Sequence, residues 1–293
     1  MDFGPYLLLA TMEGAVGAAV LALTALGLSL VFGVMRVVNV AHGEFFMLGA
    51  VIAWWVTDLL GIHPALGFLA AIAVAPAMVG IVAGLAERLV LRRLGYDPEA
   101  TIVATIGLLY VIQQAALSTF GPDARPVQPP VDFRIQLPWF GWSGYKLLVV
   151  AAAAALLLGV WWVLARTRVG LMMRATQLDA ETARAFAIPV DRVYGGVFAF
   201  GAMLAALGAV LVVPIQQAHY LMGHDPLLLS FIVVIIGGLG SLRGTVLAAV
   251  VIGMSDGIIS VFFSPTLAKI LATLLVAMVL VVRPTGLFGT RAA

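Results

Sequence analysis

Four polar residues, Arg36, Asn39, His42 and Glu44, crowd into Val34-Met-Arg-Val-Val-Asn-Val-Ala-His-Gly-Glu44 between two apolar runs. A second interruption, Gly237-Gly-Leu-Gly-Ser-Leu-Arg-Gly244, carries four glycines and places Gly238, Gly240 and Ser241 together. Each glycine weakens a helix by about 1 kcal/mol relative to alanine. Non-helical backbone at membrane depth is tolerated only where protein buries it or a watery cavity receives it. Paired interruptions in two halves of a chain mark a translocation path. Each is followed by an apolar helix and has one arginine before its last glycine, which reads as a degenerate repeat. Asp256 lies inside a third apolar run, within Gly253-Met-Ser-Asp-Gly257. Carboxylates at such depth are expensive, so Glu44 and Asp256 need a reason to be there. Hydrogen bonding within a bundle is the commoner reason for Asp256, and for Gln113 and Gln114; lining a path is the alternative.

Other chemistries find no support. His42 and Glu44 are two apart, which does not place two ligands on one helix face. His219 and His224 stand beside Asp225, but no third strong metal ligand is fixed by spacing. The chain has no cysteine, so thiolate sites and disulfides are excluded. There is no G-x-x-x-x-G-K-[ST] phosphate loop, no H-E-x-x-H and no G-x-S-x-G. No catalytic residue, metal ligand or cofactor of its own is expected for this chain.

The elements that position these residues follow from composition. Of 293 residues, 63% are hydrophobic and 10% charged, against about 45–50% and 25% for soluble domains. Lipid is the natural solvent for such a chain, and no basic patch suggests nucleic acid. A spanning helix needs about 20 apolar residues. Candidates fall at 12–33, 43–60, 65–86, 102–120, 145–165, 193–215, 226–240, 245–263 and 266–282, the seventh being short. The expectation is an all-α polytopic membrane bundle of about eight or nine helices with interrupted segments, forming one domain over 1–293. Met1–Met12 has no basic region before its apolar run, so the first span is expected to direct insertion itself.

The 16 Lys and Arg residues test this layout. One set of loops carries Arg36, Arg88, Arg92, Arg93, Arg166, Arg168, Arg174, Arg184, Arg192, Arg243, Arg283 and Arg291; the other carries Arg125, Arg134, Lys146 and Lys269. The richer side is expected in the cytoplasm, which puts the N-terminus outside and the C-terminus inside. The longest outer loop, 121–144, holds Pro126, Pro129, Pro130 and Pro138, with Trp139 and Trp142 suited to an interfacial cap. The longest inner loop, 166–192, has Thr176 three residues before Asp179, like a capping box, and ends at Ile188-Pro189. A short cytoplasmic helix is expected at 177–187, with Leu178, Thr182, Ala185 and Phe186 along one face and a weak Glu181–Arg184 pair.

These residues reach a known family. Val38-Asn-Val-Ala-His-Gly-Glu-Phe-Phe-Met-Leu-Gly49 resembles the signature after the first helix of Liv-type permeases, the H-type subunit of branched-chain amino-acid ABC importers. Glu87-Arg-Leu-Val-Leu-Arg-Arg93 resembles the family's basic stretch, and Gly170 through Arg192 resembles its cytoplasmic coupling region. Gly237 through Gly244 and Arg283-Pro-Thr-Gly-Leu-Phe-Gly289 resemble its late landmarks. Ala248 and Ala249 stand where the family often has glycine, and the position of Arg243 varies.

The resemblance implies a multi-pass inner-membrane permease paired with a second, homologous permease. Two cytoplasmic ATPases would bind ATP and Mg, and a periplasmic binding protein would deliver the substrate. It implies ATPase coupling through Asp179, Glu181, Arg184 and Phe186. The path or gate residues would be Asn39, His42, Glu44, Gly238, Gly240, Ser241 and Asp256. Urea, amide and aromatic-acid importers share these landmarks. Outside the family, the rivals are a proton-driven carrier using Glu44 or Asp256, and an ion channel, for which too few polar residues recur at helical spacing.

Overall fold

The computed structural model describes residues 3–283 and Gly286. Its helices are α1 (Phe3–Met35), α2 (His42–Leu60), α3 (Pro64–Leu89), α4 (Pro98–Phe120), α5 (Gly144–Arg166), α6 (Arg168–Leu178), α7 (Ala180–Ala185), α8 (Val190–Gln216), α9 (His224–Gly237), α10 (Leu242–Phe262) and α11 (Pro265–Val282). Proline opens α3, α4 and α11, where a missing N–H costs nothing. Side chains of His63, Asp97, Ser241 and Ser264 cap α3, α4, α10 and α11. The all-α membrane bundle expected from composition is the fold observed. Eight helices are long and apolar enough to cross a bilayer. The ninth expected span is α9, whose 14 residues reach about 21 Å, short of the roughly 30 Å hydrocarbon core.

The centre is α1, buried over most of its length between α8 and α10. Small residues permit this. A Cβ on Gly27 would collide with the backbone of Gly201 in α8, and one on Gly201 would lie 2.7 Å from the Gly27 carbonyl oxygen. Apolar contact offers little drive for helix association in lipid, so close backbone approach carries the packing. Thr245 on α10 donates to Ser29 on α1 at 2.9 Å, fixing these two helices antiparallel with the Gly253–Ala18 approach.

The interruptions are arranged differently from the expected repeat. After α1, Arg36 turns the chain with φ 59°, and 37–41 runs back into the bundle. His42 then opens α2 beside Thr24, about three turns before the end of α1. After α8, Gln217 turns with φ 67°, 218–223 runs back, and His224 opens α9. Gly43 and Gly223 meet so closely that a Cβ on either would strike the other's backbone. α2 and α9 therefore start back to back inside the bundle and leave in opposite directions. The counterpart of 34–44 is 214–224, and the expected pairing with 237–244 is corrected. That glycine stretch is the turn from α9 to α10, at the end of the bundle where Gly240 lies against Gly33. Glycine content pointed to the wrong segment because the true break uses Gln217, a residue that rarely adopts positive φ.

The chain thus passes along the bundle nine times, the α9 pass being completed by 218–223. The Arg92–Asp191 pair places the end of α3 with the start of α8, and Lys146–Glu13 places the start of α5 with the start of α1. The loop 121–144 contains a two-stranded hairpin, Arg134–Gln136 with Gly141–Ser143. Trp139 is exposed, as an interfacial residue would be, but Trp142 is buried and donates to Glu13 at 3.1 Å.

Candidate translocation and coupling sites

Asn39, His42 and Glu44 are all buried at the start of α2. Asn39 accepts from the Ala41 N–H at 3.1 Å, so its role is to shape the turn. His42 Nε2 bonds the Thr24 carbonyl at 2.9 Å, which assigns the proton to that nitrogen. Neither carboxylate oxygen of Glu44 has a hydrogen-bond partner among the described residues. Its Oε1 lies 3.8 Å from His224 Nε2, which in turn meets the Gln113 amide at 2.8 Å. Glu44 sits in the first turn of α2, where the helix dipole favours a carboxylate. The meeting of Glu44, His224 and Gln113 was not legible in the sequence, because it depends on the two returning loops.

Asp256 has no hydrogen-bond partner among the described residues, so the bundle-bonding role expected for it is corrected. It lines a cavity of about 570 Å³ between α1, the end of α8, the start of α9, α10 and α11. Glu13, Asp225 and Lys269 also reach this cavity, and its floor lies at Thr24 and Phe46. Lys146 pairs with Glu13 at 2.5 Å and Lys269 with Asp225 at 2.6 Å. Gly238, Gly240 and Ser241 are elsewhere, at the opposite end. Ser241 caps α10 through the Gly244 N–H at 3.2 Å, and the Gly240 carbonyl accepts from Gln177 at 3.4 Å. The residues grouped from sequence as one path therefore fall in three places.

The inner loop folds as two helices, not one at 177–187. Thr176 is buried inside α6 and caps nothing. Asp179 adopts extended backbone (φ −157°, ψ 109°), which breaks the helix. Its carboxylate accepts from the Glu181 and Thr182 N–H groups at 2.9 and 3.2 Å and from the Thr182 hydroxyl at 2.5 Å. Arg184 pairs with Asp191 at 3.2 Å instead of with Glu181, and Arg92 reaches the same carboxylate at 3.1 Å. Asp191 thereby ties α7 to the ends of α3 and α8. Phe186 and Leu178 remain 78% and 86% exposed.

The family model described as "Branched-chain amino acid transport system / permease component" matches residues 10–282. The chain belongs to this family. It is 27% identical to the high-affinity branched-chain amino acid transport system permease protein LivH of Escherichia coli (strain K12), over 97% of this chain and 96% of that one. It is 26% identical to BraD, a permease protein of the same description from Pseudomonas aeruginosa, over 92% and 91%. The probable LivH of Methanocaldococcus jannaschii is 26% identical over 95% and 91%. PsaBC from Streptococcus pneumoniae in complex with Fab superposes with a TM-score of 0.49 and 13% identity, covering 91% of this chain and 89% of that one; the family assignment rests on the family model.

Within this permease, the Asp179 cap gives a direct prediction. Bonds from Thr182 and the α7 amides hold its carboxyl below the usual aspartate range. A depressed folded pKa means the cap is fully present above the unfolded value and is lost as pH falls through the folded one. Asp179→Ala is expected to fray α7, speeding hydrogen exchange at the Thr182 and Ala183 amides, whereas Asp179→Asn preserves most of the protection. Acidifying wild type below the folded-state pKa, which lies under the ordinary aspartate value of about 3.9, is expected to remove the charge's share of the cap and bring exchange to the level of Asp179→Asn.

Proposed function

We propose that this chain is one of two homologous permeases in an ATP-driven importer of branched-chain or related hydrophobic amino acids across a bacterial inner membrane. The observation that carries the reading is the family match across nearly all of the bundle. The relatives' names supply the substrate class. A capped helix pair at the arginine-rich end leaves Leu178 and Phe186 free to enter a groove on a partner, which fits ATPase coupling. In this reading two cytoplasmic ATPases bind ATP and Mg, and a periplasmic binding protein delivers the cargo. The chain itself contributes no catalytic step. ATP must bind one conformation of the assembly better than the other. Reversing a population from 1:99 to 99:1 takes about 5.5 kcal/mol of differential binding.

The test is leucine uptake into vesicles holding the complete assembly. Uptake is expected to require ATP and to survive collapse of the proton gradient. Uptake that persists without ATP and collapses with the gradient would instead make Glu44, with its unpartnered oxygens, a proton carrier. Uptake of urea, amides or aromatic acids in place of leucine would move the substrate class within the family.

Orientation is part of the proposal, with the N-terminus periplasmic and the C-terminus cytoplasmic. The chain lacks cysteine, so single substitutions report sidedness cleanly. Ala180→Cys is expected to react only from the cytoplasmic face and Asp132→Cys only from the periplasmic face. Labelling of Ala180→Cys from outside alone would invert the layout.

A further inference from the structure

The cavity between α1, α8, α9, α10 and α11 has features that packing alone does not require. Its volume of about 570 Å³ lies within the 300–1,000 Å³ typical of small-molecule sites. Three carboxylates reach it, from Glu13, Asp225 and Asp256, against one lysine, Lys269. Glu13 is neutralised by Lys146 and Asp225 by Lys269. Asp256 forms no ion pair among the described residues, and the Lys269 charge reaches it only from a distance while pairing with Asp225; a carboxylate so placed inside a spanning helix is costly unless a cation joins it. The remaining wall is largely apolar, with Val16, Val20, Met222 and Leu229, and is interrupted by Gln216, His219 and Ser260. The cavity runs from the Glu13 end, the end poor in arginine, down to Thr24. There the His42–Thr24 bond and the Gly27–Gly201 approach close it toward the arginine-rich end.

We propose that this cavity is a binding site for the free α-amino acid within the permease. Asp256 takes the α-ammonium, Lys269 shares itself between Asp225 and the substrate carboxylate, and the apolar wall takes an aliphatic side chain. The Asp225–Lys269 pair sits at the start of α9, whose N-terminal dipole adds attraction for the carboxylate. An ion pair already made at 2.6 Å keeps Lys269 neutralised until the zwitterion arrives. An acid alone leaves Asp256 uncompensated and is disfavoured, whereas an ammonium compensates Asp256 and leaves the Lys269–Asp225 pair intact; the carboxylate adds what Lys269 and the start of α9 contribute. The proposal deepens the importer reading and rests on it for the substrate class.

The test uses the assembled importer in vesicles and a single substitution, Ser260→Cys, on the cysteine-free chain; Ser260 lines the same cavity. A membrane-impermeant maleimide added from the Glu13 side is expected to label it. Leucine should slow labelling about tenfold or more, and 4-methylpentanoate, which lacks the ammonium, should not. Adding Asp256→Asn should remove protection by leucine at the same concentration, as loss of a charged hydrogen-bond partner weakens binding about tenfold or more. Asp256→Glu should restore part of it. The proposal is overturned if Ser260→Cys is not labelled, if leucine fails to protect while the assembly still imports leucine, if 4-methylpentanoate protects equally, or if sodium alone protects. Protection without any leucine uptake would keep the site and remove the transport reading. Absence of both would remove both.

Discussion

The Gly27→Leu substitution is expected to leave little folded permease in the membrane. Gly27 and Gly201 bring α1 and α8 into backbone contact at the centre of the molecule, and His42 packs on the same glycine. A leucine there must push apart α8 or the start of α2, and neither has room to move. Over-packing a well-filled core commonly costs about 1–3 kcal/mol and occasionally more. Here the obstacle is backbone, not a flexible side chain, so the expected cost is at the top of that range or above it. Gly159 on α5 provides the contrast, because nothing lies within 4 Å of a Cβ added there. Gly159→Leu should give near wild-type amounts of monodisperse protein by fluorescence-detected size exclusion, and Gly27→Leu should give aggregate or none. Equal yields of the two variants would mean that the α1–α8 approach is not what holds the bundle.

Phe186→Ala is expected to uncouple ATP hydrolysis from uptake while the permease still folds. Phe186 follows α7 and exposes most of its ring, so its removal leaves no cavity in this chain. A buried aromatic anchor at an interface is commonly worth more than about 2 kcal/mol, roughly thirtyfold in association. Glu181→Ala should do much less, since a solvated ion pair is worth at most about 1 kcal/mol and Glu181 makes none among the described residues. The measurements are co-purification of the ATPases and leucine-stimulated hydrolysis in the reconstituted assembly. Wild-type assembly, stimulation and uptake in Phe186→Ala would remove this segment as the coupling element. In that reading, the Asp191 carboxylate, held by both Arg92 and Arg184, would carry movement of α7 to α3 and α8.

Helix existence and boundaries were largely legible. Apolar length located every spanning helix, because lipid demands about 20 apolar residues and the sequence has few charges to interrupt them. Apolar length also placed the starts of α3, α4 and α11 within a few residues of the prolines that open them. The inner loop was legible as helix and stop. Its start was misassigned to Thr176, because a capping pattern cannot show whether the threonine is already inside a preceding helix.

The chain's motifs carried the resemblance to its family, while composition and apolar length by themselves determined an all-α membrane bundle and its number of passes. These quantities depend on the solvent each residue meets, and residue type reports that directly. Only the tertiary structure decided which polar residues meet. Glu44 finds His224 and Gln113 because two loops turn back at Arg36 and Gln217, and Asp256 faces a cavity with Lys269 because α9 starts inside the bundle. Those juxtapositions join positions separated by up to 180 residues in the case of Glu44 and His224. No local pattern encodes them, since the energy that selects them comes from close backbone contacts between helices distant in sequence.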